Sequence, residues 1–387
     1  MKSFLIFISI IYISLSNIYC LANELEQDKN TLKIGLIIPL SGEHQEIGKS
    51  VLNSIRLALS KINDAKIEIY PKDNFSNPEK TLFVANQLKE EGIKLIIGPI
   101  FSENLIYLNE VENLIFLSLS NKTKSVPKNV ISIGVNANSQ ISTIITFLKK
   151  RDLRKTIVLI PRADYEDEFK SALSKTKHKF SKIYSYDTEP GKLTSQIEQI
   201  TSYSQRKKRL ERRIKILEKS DDPTSKKKLE KLKKKYTLGE INFDSVIIAD
   251  FGENLKSVTN SFLFSDVTTK NVKFITLNQW FDENLLNENS MNEIYFPSIN
   301  YKNFSKFNKS YFKIYNNYPS KISILSYDIL GLIYYVYKKN EGNMNANLFK
   351  DKDIYKGEIG SFIFTKNEIT HNLDIYQILN GQFSKVK

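Results

Sequence analysis

The chain has almost no cysteine: Cys20 is the only one in 387 residues. That excludes an intramolecular disulfide and a thiolate metal site. Histidine is nearly as scarce. His44, His178 and His371 are far apart, none stands in a spacing such as H-E-x-x-H, and no metal is expected. There is no G-x-S-x-G elbow, no G-x-x-x-x-G-K-S/T phosphate loop and no G-x-G-x-x-G turn. The sequence therefore gives no reason to expect catalysis or a cofactor. Acidic residues are plentiful, but linear order does not show a pair held across a cleft.

Long apolar runs are also missing, with one exception at the start. Lys2 is followed by an almost wholly apolar stretch from Phe4 to Leu15, and Cys20-Leu21-Ala22 ends in small residues. This is the pattern of a signal peptide over residues 1–22, cleaved after Ala22. Two other readings are lipid anchoring at Cys20 and retention as an anchor. Asn17-Ile18-Tyr19 lacks the leucine and small residues a lipidation signal wants, and the stretch is short for a span. A composition rich in Lys, Asn and Ile suggests an AT-rich bacterial genome, so the expected destination is the periplasm.

What remains can fill about two domains, with 41% apolar residues for their cores. Lys33–Leu40 is an apolar run of strand length, ended by Ser41-Gly42. Val51, Ile55, Ala58 and Ile62 then recur at helical spacing. Strands near 66–70, 94–98, 114–119 and 130–133 alternate with helices over 78–91 and 138–150, with Pro78 suited to a first helical turn. A second set begins at Thr156. Strands near 156–160, 182–186, 245–249 and 273–277 alternate with helices over 165–175 and 253–264. Such alternation predicts parallel sheets covered by helices on both faces, and two sets predict two doubly wound lobes. Phe304, Phe307, Tyr311, Phe312 and Tyr315 form an aromatic helical stripe, read as core. A second apolar helix follows over 322–337, and two strands near 359–364 and 373–379 close the chain.

Residues 206–236 interrupt the beat. Residues 206–235 hold 15 Lys/Arg and 5 Asp/Glu, so most of the net charge of +14 sits there. Leu210, Ile214 and Leu217, then Leu229, Leu232 and Tyr236, mark two thin apolar seams on either side of Asp221-Asp222-Pro223-Thr224-Ser225. The segment reads as an antiparallel helical hairpin with a basic outside. It is either a solvated excursion or a contact for an anionic membrane surface or acidic protein. Nucleic acid is not expected, because no recognition motif accompanies the charge.

In open α/β sheets ligands bind beyond the carboxyl ends of the strands. The loops to watch are therefore 41–48, 98–102 and 118–121 in the first lobe, and 161–165, 250–252 and 278–280 in the second.

Lys33–Leu40 with Ser41-Gly42 and Gly48, then Ile96-Ile97-Gly98-Pro99 with Ser102, then Leu117-Ser118-Leu119-Ser120, resembles the leucine/isoleucine/valine-binding proteins of bacterial amino-acid importers. The resemblance covers about residues 32–387 apart from the insert. It implies the type I periplasmic binding fold, with two Rossmann-like lobes joined by three crossing segments and closing on a small ligand such as an amino acid. The expected lobes are 32–150 with 299–358, and 151–298 with 359–387, the second carrying the insert at 204–236. The resemblance implies that Ser102 and the backbone at Ser120 hold the ligand carboxylate, with Ile47 and Tyr165 as further contacts. Asn121, Phe251 and Trp280, in the loops at the strand ends, are the remaining candidate contacts. The family also places an acidic residue after a late strand of the second lobe, to pair with the ligand ammonium. The matching stretch here is Asn278-Gln279-Trp280-Phe281, with no carboxylate until Asp282. A buried ammonium without a counter-charge is costly.

The basic insert, the stretch Tyr236–Val246 after it and the Gly357–Phe364 ending are similar to a branch known as penicillin-binding protein activators of α-proteobacteria. That likeness implies a non-enzymatic cell-wall regulator acting on a peptidoglycan synthase. The alternative is the binding component of an ABC importer, whose partner is a permease.

Overall fold

The computed structural model describes residues 31–342, 349, 354–365 and 368–386. The expectations of a signal peptide over 1–22 and of lipidation at Cys20 lie outside the described residues. No described helix is long and apolar enough to cross a membrane. The chain forms two compact units. The first comprises residues up to Gly134 with Ser305–Ile369, and the second Val135–Phe304 with Thr370 onward.

In the first unit the strands are β1 (Leu32–Ile38), β2 (Ile67–Asp73), β3 (Leu95–Ile97), β4 (Ile115–Ser118) and β5 (Val130–Ser132), with β11 (Ile354–Gly357), β12 (Gly360–Thr365) and β13 (Glu368–Asn372) from the end of the chain. The sheet order is β11-β12-β13-β5-β4-β3-β1-β2. All pairings from β2 to β5 are parallel, and so is β13 on β5. The edge pair β11–β12 is antiparallel. Helix α1 (Gln45–Ile62) presents Val51, Ile55 and Ala58 to the core, each 3% exposed or less. Helix α2 (Pro78–Glu90) starts on an Asn77 cap, whose side chain accepts the Lys80 N–H. It buries Val84, Ala85 and Leu88 against Ile37, Ile96 and Phe116.

The second unit repeats the plan. Its strands are β6 (Thr156–Pro161), β7 (Lys182–Tyr186), β8 (Ser245–Ile248), β9 (Lys273–Thr276), β10 (Tyr295–Ser298), β14 (Asp374–Leu379) and β15 (Gln382–Lys385), in the order β15-β14-β10-β9-β8-β6-β7. Strands β7 to β10 are parallel, while β14 and β15 are antiparallel. Both sheets are thus mixed at one edge, where the sequence reading expected parallel sheets. The closing segment forms five strands rather than two, and β10 and helix α5 (Pro190–Ile200) had no counterpart in that reading.

Helix α3 (Ala137–Lys150) buries Ile141, Ile144 and Leu148 among Val158, Ile247 and Ile275 of the second sheet. Unit boundaries accordingly fall at 134/135, 304/305 and 369/370, against the expected 150/151, 298/299 and 358/359. Helix α4 (Glu166–Ser174) follows β6. In the insert, α6 (Tyr203–Glu218) opens one residue before the expected span of 204–236, and α7 (Pro223–Lys233) follows on an Asp222 cap. Helices α8 (Gly252–Phe264), α9 (Tyr301–Tyr315) and α10 (Ser323–Lys339) complete the set. In the aromatic stripe, Phe304, Phe307 and Tyr311 are core, whereas Phe312 is 40% exposed.

Candidate functional site

The strand order 2-1-3-4-5 reverses direction between β1 and β3 in the first unit, and between β6 and β8 in the second. Such a reversal leaves a crevice at the carboxyl ends of the two strands, which is where open α/β sheets bind ligands.

In the first unit this crevice is built largely of backbone. Asp73, at the end of β2, accepts the Leu40 N–H at 2.9 Å and the Ser41 hydroxyl at 2.6 Å, pinning the loop after β1. Burial pushes the Asp73 carboxyl up, but hydrogen bonds from Ser41, Phe75 and Leu40 outweigh it and hold the group below its usual range. Gly98 has φ +105°, and a Cβ there would lie 2.1 Å from the Ile37 carbonyl. A Cβ on Gly48 would lie 1.7 Å from the Pro39 carbonyl. Only glycine lets the two loops and α1 approach this closely. The His44 and Phe101 rings meet at 4.6 Å across the two loops.

Of the expected contacts, Ile47 sits half-buried in the first turn of α1. Ser102 opens a 3₁₀ turn and donates its hydroxyl to Glu103 at 3.2 Å. Ser120 is buried and committed to its own loop: its N–H goes to Ser118 Oγ at 3.2 Å, its Oγ accepts the Lys122 N–H, and its carbonyl accepts the Gly134 N–H. Asn121 is exposed.

In the second unit the equivalent crevice is built of side chains. Asp250, just past β8, is 3% exposed. Tyr186 donates to its Oδ2, and the Phe251 N–H donates to Oδ1 at 2.8 Å. Burial raises the Asp250 carboxyl above its ordinary range, against those hydrogen bonds. Tyr165, just before α4, gives its hydroxyl to the Ala249 carbonyl at 2.5 Å. Its ring meets that of Phe251 edge-on at 5.6 Å. Phe251 is 41% exposed. The structure thus brings Tyr165 and Phe251 together at the switch point.

Trp280 lies one strand further on, after β9. It and Phe281 both have left-handed φ, +50° and +54°, a conformation costing on the order of 1 kcal/mol or more for each such residue. The ring of Phe281 holds the turn in place, being buried among Phe296, Tyr301, Phe304, Tyr376 and Phe383 at 4.7–5.8 Å.

The side chain of Asn278, in the stretch 278–281 where the resemblance led us to look for an acidic residue, is 2% exposed. Its Oδ1 accepts from the Trp280 N–H at 3.0 Å and from the Ser298 hydroxyl at 2.8 Å. Its Nδ2 is buried with no acceptor among the described residues. Gln279 is turned inward, donating to the Asp250 carbonyl at 3.0 Å. Asp282 caps a 3₁₀ turn through the Asn284 N–H.

Sequence reasoning placed Asp250 in a loop to watch without naming it as a contact, and it missed Tyr186. A strand ending in a carboxylate, Val246-Ile247-Ile248-Ala249-Asp250, was the available signal. It also missed Arg206, counted among the surface cations but 3% exposed. The Arg206 guanidinium donates to the Thr201 carbonyl at 3.0 Å, to Thr237 Oγ1 at 2.9 Å and to the Ser265 carbonyl.

A family model described as "Periplasmic binding protein" matches residues 31–182. Over 143 residues the chain is 22% identical to the penicillin-binding protein activator LpoA of Histophilus somni, a match covering 35% of this chain and only 23% of that protein. The C-domain of LpoA from Haemophilus influenzae, described as a regulator of PBP1A, superposes with a TM-score of 0.62 at 15% identity, covering 92% of this chain and 100% of that domain. Against the full-length LpoA from that organism the match covers 92% of this chain and 59% of that one. The isoleucine complex of the branched-chain amino-acid binding protein LivJ from Streptococcus pneumoniae gives a TM-score of 0.55 at 18% identity, covering 92% and 99% of the two chains. At these identities the likeness establishes the fold, which is the type I periplasmic binding fold.

Proposed function

We propose that this protein is a non-enzymatic regulator of cell-wall synthesis that acts by contact with a peptidoglycan synthase, and that it is not a carrier of free amino acids. The observation that supports this most is Asn278. An α-amino acid needs a negative group against its ammonium, because an unpaired buried charge is expensive. At that position this chain offers a buried amide donor, with its carbonyl oxygen already occupied twice. An amide donor does not supply the negative group an ammonium needs. The backbone N–H of Ser120, expected to hold the ligand carboxylate, is likewise engaged within the chain.

The importer reading has one observation in its favour. Asp250 places a carboxylate beside the switch point of the second unit, and a reoriented Tyr186 would release one of its oxygens.

Thermal melting against a panel of free amino acids, alongside binding of the immobilised protein to a purified periplasmic peptidoglycan synthase, separates the two. The regulator reading expects saturable binding to the synthase and an unchanged melting temperature with leucine, isoleucine and valine. A ligand at a hundred times its Kd adds about 2.7 kcal/mol, a rise of several degrees. Such a rise with a branched-chain amino acid would overturn the proposal.

A further inference from the structure

The insert is held by a built base and left bare above it. The base is Arg206, whose three side-chain bonds tie α6 to Thr201, Thr237 and Ser265. Its carbonyl accepts the Leu238 N–H at 3.1 Å, so the two ends of the excursion meet. Leu210 and Leu217 add the buried seam of α6. Above that seam the packing stops, and α7 has no buried residue.

Residues 207–235 carry 14 Lys/Arg against five Asp/Glu, all of them exposed. Two ion pairs, Lys226–Asp221 at 3.7 Å and Lys233–Glu218 at 3.3 Å, neutralise little of this. Along one face of α6, Lys208, Arg212, Lys215 and Lys219 recur over about 16 Å. With Glu211 and Ile216 they line a shallow 390 Å³ cleft. None of these four cations has an ion pair among the described residues. Two apolar side chains stand out among the charges, Ile216 at 52% exposure and Tyr236 at 79%.

The pattern decides between polyanions. A protein interface needs a packed, charge-depleted centre, and this face has a single isoleucine among cations. Nucleic-acid recognition needs side chains placed for base edges or stacking, and the stripe has lysine and arginine without an aromatic platform. A layer of anionic headgroups needs neither. It needs many cations presented together, each adding about 1 kcal/mol near the surface, and a few apolar side chains able to enter the interface.

We propose that α6 and α7 dock the protein on an anionic phospholipid surface, with the stripe Lys208, Arg212, Lys215 and Lys219 against the headgroups and Ile216 at the interface. This stands independently of the regulator reading, since neither the crevices nor Asn278 takes part.

The test is co-sedimentation of the purified protein with phosphatidylglycerol/phosphatidylcholine vesicles and with phosphatidylcholine vesicles alone. Partitioning should be at least about tenfold stronger on the anionic vesicles and should vanish at high salt. Combining Lys208→Glu, Arg212→Glu, Lys215→Glu and Lys219→Glu should abolish it without changing the melting temperature, because all four side chains are exposed. Replacing residues 207–236 with a short linker between Arg206 and Thr237 provides a second variant, in which the contacts of the base remain. Equal partitioning on the two vesicle types, or unchanged partitioning of the four-site variant, overturns the proposal. So does tighter binding to polyglutamate or to duplex DNA than to anionic vesicles at the same salt.

Discussion

Both units close their sheets in the same strand order, yet they build the crevice at the reversal from different material. In the first unit it is main chain, with Gly48 and Gly98 against the carbonyls of Pro39 and Ile37, and Asp73 at the rim. In the second it is a buried carboxylate under two tyrosines. A backbone wall tolerates no added atom but has no protonation state. A wall of titratable side chains tolerates substitution better and responds to pH. Topology places the crevice, and local residue choice decides what disturbs it.

The steric half of the contrast carries the largest expected effect. Gly48→Ala puts a methyl carbon 1.7 Å from a carbonyl oxygen, which only a backbone shift can relieve, at a cost of about 3 kcal/mol or more. The melting temperature should fall by about 6 °C or more. Gly191→Ala, in the second unit, meets nothing within 4 Å and should be neutral or stabilising by less than about 1 kcal/mol. Similar melting curves for the two variants would erase the distinction.

The electrostatic half is next in size. Among the described residues each unit buries one carboxylate: Asp250 in the second and Asp328, on α10, in the first. Burial pushes Asp328 up to about 6 from 3.8, against hydrogen bonds from the Glu358 and Ile359 N–H groups. For an acid whose folded pKa is raised, the native state binds the proton more tightly than the unfolded chain. The penalty for charging it is absent below pH 4 and complete above pH 6, so stability falls as pH rises through that window. The fall should be about 2–3 kcal/mol for Asp328. Asp250 contributes a loss of the same sign. Denaturant titrations at pH 4 and pH 7 should show Asp328→Asn raising stability at pH 7 relative to pH 4, and the double variant with Asp250→Asn raising it further. Asp250→Ala should cost about 2 kcal/mol at pH 4, because the buried Tyr186 hydroxyl loses its acceptor, and less at pH 7, where the penalty for charging the carboxylate is removed with it. A slope unchanged in the double variant would mean that neither carboxylate titrates as its burial implies.

The repeating strand–helix beat was legible because parallel strands buried on both faces read as apolar runs, as in Lys33–Leu40 and Thr156–Ile160. Residues whose role depends on long-range contacts were not. Strand β10 is four residues with a proline, Tyr295-Phe296-Pro297-Ser298, and takes its place through pairing with β9 and β14. Helix α3 looked like the end of the first lobe because it follows β5, but its apolar face belongs to the second sheet's core. Tyr165 and Phe251 were readable as strand-end residues, and the structure sets them ring to ring. Asp250 lies beside Phe251 in sequence, yet its importance comes from Tyr186, 64 residues away. Arg206 was indistinguishable from the cations that follow it until its acceptors, up to 59 residues distant, were known.

The smallest effect tests whether the aromatic pairs at the two reversals are equivalent. His44 and Phe101 meet at 4.6 Å in the first unit, and Tyr165 and Phe251 at 5.6 Å in the second. Such pairs contribute about 0.5–1.5 kcal/mol beyond area burial. Phe251 is 41% exposed and joins two loops, with little core beneath it. Phe251→Ala should therefore cost about 1 kcal/mol or less, and Phe101→Ala a similar amount. A double-mutant cycle of Tyr165→Phe with Phe251→Ala adds a finer reading. The Tyr165 hydroxyl bonds to the Ala249 carbonyl and not to the Phe251 ring, so the two changes should be additive within about 0.5 kcal/mol. A coupling well above that would mean that the hydroxyl positions the ring pair. The second crevice would then be one cooperative side-chain network, with no counterpart in the backbone-built first.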